Sequence, residues 1–334
     1  MKQPTGILLC NIGSPAALDE KSIRRFLSQL LSSKQMTPMN QFSWFFKLHF
    51  SLLPSVTKNL FHKYKSIWTE NGSPLSDSML FLAKELQREL REEGFNVHVR
   101  PANAFGSYSL IESTKSLKEK ECGNIVAVPL FPQSSYSSTK LIDNALKAAL
   151  KKINWSVHVT FLDDYHLNAN YITALSRIVE HVGFDRNSND KLLCVYHSIP
   201  LSHVEQGDTY ELQADTTSLA LAGELGLDRK AWSIAYHGAV AKESDWLSPC
   251  MEKSVKRIAE YGQGRLFICC PGYMTENVYT LCDIRKDMRK IFLSKRKEVR
   301  GEANKTDFVY VPCLGKSKLH VGLLKSLIVP LLKD

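Results

Sequence analysis

Three short stretches carry the side chains best suited to chemistry. The first is Tyr196-His197-Ser198-Ile199-Pro200, where an apolar run at 192–195 ends in an imidazole. A histidine at the carboxyl end of a strand is placed for proton transfer or metal ligation, and a structural, hydrogen-bonded histidine fits the same pattern. The second is Pro271-Gly272-Tyr273-Met274-Thr275-Glu276-Asn277-Val278-Tyr279, which leaves a strand and enters a helix. Glu276 and Tyr279 are three residues apart, so on a helix they share a face and can point together into a cleft. A carboxylate at that point also serves simply to offset the helix dipole. The third is a hydroxyl-rich loop, Gln133-Ser134-Ser135-Tyr136-Ser137-Ser138-Thr139. Its hydroxyls, Ser135, Ser137 and Thr139 among them, can bind a ligand's carboxylates or cap the next helix.

Several chemistries find no support. Asn11-Ile12-Gly13-Ser14-Pro15 follows the first strand but lacks the glycine spacing that lets backbone approach a pyrophosphate. Neither a phosphate-binding GxxxxGK[ST] loop nor a GxSxG nucleophile elbow occurs. Eight cysteines are scattered without a CxxC pair, most inside apolar runs, as buried thiols in a reducing compartment would be. A zinc or iron–sulfur cluster would have to be assembled from distant cysteines without the usual motif spacing.

These residues hang on an alternation of strand and helix. Eight β-rich runs, at 6–12, 97–105, 125–131, 157–162, 192–197, 232–237, 266–270 and 308–313, are mostly followed by helical patterns. Helices are expected at 80–92, 171–181, 216–225, 251–261, 278–293 and 321–331. The pattern predicts an α/β fold with parallel sheets, either one barrel or two doubly wound, Rossmann-like halves of four strands each. An echo between Leu8-Leu9-Cys10, leading to Ser14-Pro15, and Leu192-Leu193-Cys194, leading to Ser198-Ile199-Pro200, favours two halves. The lysine-rich segment at 150–155 is the expected boundary, giving a first domain over 1–150 and a second over 151–315. In open α/β folds ligands bind at the carboxyl ends of the strands, where the three stretches lie.

With 44% hydrophobic and 23% charged residues the composition is that of an ordinary globular chain. No apolar stretch approaches the roughly 18–20 residues needed to span a bilayer, and the first residues read as a strand of a cytoplasmic protein rather than as a signal peptide. The net charge of +9 is concentrated: from Lys21 to Thr69 there are eight Lys or Arg and no Asp or Glu. Within that segment Phe42, Phe45, Phe46, Phe50 and Leu53 recur at helical spacing. Such a face either packs on the core or forms a basic, aromatic lip for an anionic membrane surface or an apolar, anionic ligand. Nucleic acid is not expected as a partner, because the aromatics cluster on one face and no binding motif is present.

At this point the chain resembles a known family, the ferrochelatases, over nearly its whole length. Asn11-Ile12-Gly13-Ser14-Pro15, Tyr64-Lys65-Ser66-Ile67-Trp68-Thr69-Glu70-Asn71-Gly72-Ser73-Pro74-Leu75 and Pro129-Leu130-Phe131-Pro132-Gln133 are similar to family motifs in order. Tyr196-His197-Ser198-Ile199-Pro200 with Gly207-Asp208 and Tyr210, then Trp246-Leu247-Ser248-Pro249, Cys270-Pro271-Gly272-Tyr273 and Tyr310-Val311-Pro312-Cys313-Leu314, complete the series. The resemblance implies two doubly wound domains with a cleft between them, the final helix (316–334) packing back on the first. It implies insertion of ferrous iron, as substrate metal, into a porphyrin in haem synthesis.

It also implies His197 as metal ligand or proton acceptor, and a porphyrin entrance with a membrane-facing lip at 21–61. Three positions depart from the family: Tyr279 stands where an opposing Glu is usual, Ala104-Phe105 replace an Arg-Tyr pair, and Tyr236-His237-Gly238-Ala239 replace an aromatic followed by Gln-Ser and often a base. The expectation is therefore a divergent chelatase using His197 as base and ligand, with Glu276 as acid–base partner or Tyr279 as phenolate ligand. The alternatives are a porphyrin or haem binder without chemistry, and a chelatase for another metal and tetrapyrrole. No iron–sulfur cluster is expected, since the chain ends at Asp334 soon after the last helix. The expected location is the cytoplasm, with peripheral contact at the inner face of the membrane.

Overall fold

The computed structural model describes residues 3–32, 53–239 and 243–333. Among these residues eight strands form two four-stranded, all-parallel sheets. The first, in the order β2-β1-β3-β4, contains β1 (Thr5–Ser14), β2 (Val97–Gly106), β3 (Asn124–Pro129) and β4 (His158–Phe161). The second, in the order β6-β5-β7-β8, contains β5 (Lys191–His197), β6 (Trp232–His237), β7 (Leu266–Cys269) and β8 (Phe308–Tyr310). Each expected β-rich run holds one strand, and the arrangement is the predicted α/β fold of two doubly wound halves. The two sheets have the same strand order, and β1 and β5, which carry the sequence echo, occupy equivalent inner positions.

Contacts divide the chain into one unit of Met1–Leu130, Tyr136–Asp163 and Leu324–Asp334 and another of Phe131–Ser135 and Asp164–Leu323. The segment at 150–155 lies ahead of β4, which pairs with β3 from Asn124↔His158 onward and so stays with the first sheet.

In the first unit Ile7, Leu8, Leu9 and Cys10 of β1 are fully buried, as an inner parallel strand covered on both faces requires. Near its end Gly13 has φ +116°, and a Cβ there would stand 1.9 Å from the Phe105 carbonyl oxygen of β2. Helix Pro74–Glu92 starts earlier than apolar spacing alone predicts, because Ser73 caps it by accepting from the Ser76 N–H and Pro74 opens its first turn. Its inward stripe is Met79, Leu82, Leu86 and Leu90. The Ser14 hydroxyl lies 2.7 Å from that of Ser73 and 2.8 Å from that of Ser76, joining two of the sequence motifs through buried hydrogen bonds. The last helix, Lys318–Leu332, belongs to this unit from Leu324 on, where Lys325 pairs with Glu89 and Glu93. Leu53 is buried at the start of helix Leu53–Lys65. The remainder of the expected aromatic face, Phe42 to Leu52, lies outside the described residues.

The second unit is built on β5, whose residues from Leu192 to Tyr196 are buried between β6 and β7. Below the strands, the buried Asp190 carboxylate accepts from Arg265 Nη2 (2.6 Å), Nε (3.1 Å) and the Arg265 N–H (3.2 Å). This clamp fastens the residue before β5 to the one before β7, setting the height at which both strands emerge. Asp190→Ala leaves the N–H groups of Arg265 and Asp185 without their acceptor and the Arg265 guanidinium with only the Gly183 carbonyl, and is expected to cost about 2–4 kcal/mol. Urea unfolding of the variant beside the parent checks this, and a shift below about 1 kcal/mol would refute it.

Candidate active site

The strand ends of the second sheet set the site. β5 and β6 pair in register with Tyr196 opposite Tyr236 and His197 opposite His237. Because paired residues on neighbouring parallel strands project to the same side, the two imidazoles meet, with ring centres 5.2 Å apart and planes at 72°. The pairing continues past the strand end, where the Ser198 N–H donates to the His237 carbonyl at 2.7 Å. Gly238 then turns the chain away with φ +86°, and a Cβ on it would meet His197 Cε1 at 2.5 Å and Nδ1 at 2.8 Å. Only glycine lets the backbone pass this close to the ring. His197 Nδ1 is buried without a hydrogen-bond partner. Burial pushes the pKa of His197 down to about 4. It pushes that of His237 well below the usual 6.5, with the neighbouring His197 adding to the effect. Both rings are therefore neutral at pH 7 and keep lone pairs for a proton or a metal.

The segment after β7 brings two phenols to the pair. Tyr273 Oη shares a 2.7 Å hydrogen bond with His237 Nε2. The Tyr279 ring lies 6.0 Å from His197 and 5.5 Å from His237, centre to centre. Two-fifths of Tyr279 is open to solvent, yet its phenol packs on the imidazoles, and desolvation followed by the nearby Asp283 raises its pKa above 10. It is therefore protonated at pH 7. Asn277 positions it: its Oδ1 accepts from the N–H groups of Tyr279 (2.8 Å) and Thr280 (3.2 Å), while its own N–H donates to Thr280 Oγ1 at 2.9 Å. From Tyr279 to Met288 the chain is π-helical and continues as α-helix Arg289–Arg300. The single helix expected at 278–293 is thus two, since apolar spacing over ten residues does not separate i→i+5 from i→i+4 bonding. Wide turns of this kind recur at functional sites.

Glu276 stands differently from the expectation. Asn277 starts the helix after it, so Glu276 and Tyr279 do not share a helical face. The Glu276 carboxylate accepts from Thr280 Oγ1 (2.5 Å), Tyr310 Oη (2.8 Å) and the Cys313 N–H (2.9 Å), tying the segment after β7 to the one after β8. In the hydroxyl loop, Ser135 donates to Asp208 Oδ2 at 2.9 Å, the Ser134 N–H to Gln213 Oε1 at 2.7 Å, and Gln133 Nε2 to Thr217 Oγ1 at 2.9 Å. Residues 131–135 are thereby stitched into the second unit. Ser138 precedes helix Thr139–Lys152 but makes no side-chain cap, Thr139 is buried at the helix start, and Ser137 is half-buried.

The sequence reading placed His197 and Tyr279 correctly on the strand and helix that bring them together. It missed His237, seen there only as a departure from a motif. The signal was present: β5 and β6 both end in Tyr-His. Among the described residues, no group of three or more His, Cys, Asp or Glu is gathered to hold a metal ion.

Two four-stranded parallel sheets of this order, with imidazoles at the strand ends, define a chelatase-type α/β protein. The solved structure of SirB from Bacillus subtilis with Fe3+ matches it with a TM-score of 0.58 over 98% of this chain and 95% of that one, at 9% identity. The sirohydrochlorin chelatase SirB from Bacillus subtilis subspecies spizizenii in complex with cobalt matches with a TM-score of 0.53 over 99% and 96%, at 7% identity. At such identities the likeness speaks for the fold alone. The sequence goes further: residues 4–331 match the ferrochelatase family model, and the chain belongs to that family. It is 32% identical over 328 residues to the ferrochelatase of Aeromonas hydrophila, covering 98% of both chains. It is 32% identical over 323 residues to that of Vibrio cholerae, covering 97% of both.

Two outcomes are expected from this geometry. Gly238→Ala forces either a strained left-handed backbone or a displaced imidazole, and should lower any activity that depends on His197 at least tenfold while leaving the far-ultraviolet circular dichroism unchanged. Unaltered activity in that variant would show that the close approach is not required. Between pH 6.5 and about 4 the unfolded chain takes up a proton that folded His197 refuses, so the folded state loses stability as the pH falls through this window. The loss is at most about 3 kcal/mol for this group. His197→Gln removes that contribution, so its urea midpoint should fall less than the parent's between pH 7 and pH 4.5.

Proposed function

We propose that this protein is an active ferrochelatase that inserts ferrous iron into a porphyrin, completing haem synthesis. The observation that carries the reading is the match to the family over residues 4–331, with His197 of its central motif standing neutral and unpartnered at the end of β5. Insertion requires removal of two pyrrole protons and delivery of a cation stripped of water. A neutral imidazole in a desolvated position accepts a proton or ligates iron without first having to lose one. His197 takes that role in our reading, and Tyr279 supplies an oxygen ligand, its phenol ionising as iron approaches.

Glu276 is the acid–base partner in this proposal, with its carboxylate fixed by Thr280, Tyr310 and Cys313 rather than free to swing. Ser137 and Thr139 are assigned to the porphyrin's carboxylates, while Ser135, whose proton goes to Asp208, contributes by holding the loop. The basic, aromatic segment 21–61 is assigned to peripheral contact with an anionic membrane surface on the cytoplasmic side. Among the described residues no helix is long and apolar enough to cross a membrane.

Anaerobic absorbance with ferrous iron and either protoporphyrin or coproporphyrin tests the activity. The parent should insert iron, and His197→Ala should lower kcat by at least about a hundredfold, the usual worth of a proton acceptor. A shifted porphyrin spectrum with no insertion by the parent would replace this reading with that of a porphyrin binder. Glu276→Gln keeps the shape and removes the charge. If the carboxylate exchanges protons, kcat falls about a hundredfold with a small change in stability. If it only fastens the two segments, stability falls and kcat hardly moves.

A further inference from the structure

We propose that His237 is a metal ligand, and that His197 and His237 together form a two-nitrogen transit site for the divalent cation. The inference deepens the ferrochelatase reading and rests on it for the cation's role as substrate. Geometry carries it. A metal–nitrogen bond of roughly 2.0–2.1 Å puts an imidazole centre about 3.2 Å from the ion, so two rings on one tetrahedral ion have centres about 5.2 Å apart. The observed separation is 5.2 Å. The strand register that produces it, His197↔His237, belongs to the rigid sheet rather than to a loop.

Each ring also keeps one nitrogen uncommitted. His197 Nδ1 has no partner, and His237 uses only Nε2, on Tyr273. A second hydrogen bond of that kind is how metal-binding histidines are oriented: with Nε2 engaged by the phenol, Nδ1 is the nitrogen left to a metal. Tyr273 is thus a positioning residue for His237. The Tyr279 ring, 5.5 and 6.0 Å from the two imidazole centres, flanks the same point as a third, oxygen donor.

The ligand count suits delivery rather than storage. Structural metal sites close four positions with protein ligands, and catalytic ones commonly supply three. Here two nitrogens and one phenol oxygen leave open positions for the macrocycle nitrogens that receive the ion. A pair of neutral imidazoles in place of a carboxylate also favours borderline cations such as ferrous, cobaltous and zinc ions over magnesium and calcium.

Cobalt(II) is the probe, because its visible absorption reports nitrogen ligation directly. Titrated into the porphyrin-free protein, it should give ligand-field bands with one ion bound. His197→Ala and His237→Ala should each weaken that binding at least about tenfold. His237→Gln, which retains side-chain volume and a polar contact to Tyr273, should do the same and guards against a folding defect in the alanine variant. Tyr273→Phe should weaken binding less and alter the band shape. Binding in both His237 variants equal to the parent's would overturn the pair. Iron insertion measured on the same proteins separates the two readings. Cobalt bound through both histidines by a parent that inserts no metal would sustain the pair and refute the ferrochelatase reading. Insertion by the parent at a rate unchanged in His237→Gln would sustain ferrochelatase activity and refute the pair.

Discussion

The register of two parallel strands is the constraint on which the site depends. β5 and β6 pair from Leu192↔Trp232 to His197↔His237, and their period of two leaves no freedom in which residues meet at the end. A slip of one residue would turn one imidazole to the opposite face. That register is fastened at both extremities: at the amino end by the Leu192 N–H on the Ala231 carbonyl, at the carboxyl end by the Ser198 N–H on the His237 carbonyl. The imidazoles are therefore preorganised by the backbone, and their side-chain contacts add to a geometry already set.

Electrically the pair is neutral, and no carboxylate among those described makes a hydrogen bond to either ring. Glu276, three residues before Tyr279, is occupied by Thr280, Tyr310 and the Cys313 N–H. A neutral site binds a divalent cation less tightly than an anionic one, and releases it with a smaller Coulombic cost. In the proposed role, Tyr279 adds a charge only while a cation is present to stabilise it.

Most of the fold was legible because the inner parallel strands β1, β3, β5 and β7, buried on both faces, read as short apolar runs, and the edge strands were marked by β-rich composition between helical patterns. The site was legible in part. His197 and Tyr279 could be found because each sits at a strand end or helix start marked by turn residues. Glu276 could not be placed, because its partners Tyr310 and Cys313 lie far along the chain and no local pattern announces them. Whether 279–288 winds as α or π turns on hydrogen bonds that side-chain period does not record over ten residues. His237 needed one fact beyond pattern, the pairing register of β5 with β6; with it, two identical Tyr-His endings become a juxtaposition.

The shared strand order of the two sheets invites the question of why only one of them carries such a site. Matching Leu8-Leu9-Cys10 with Leu192-Leu193-Cys194 sets Gly13 where His197 stands, and Gly13 is paired with Phe105 where His197 is paired with His237. The Phe105 carbonyl oxygen occupies the space a Cβ would need. No side chain of any kind can be grafted there without moving β2. The asymmetry between the halves is thus written into main-chain geometry, and point substitution alone cannot convert the first sheet into a second copy of the imidazole site.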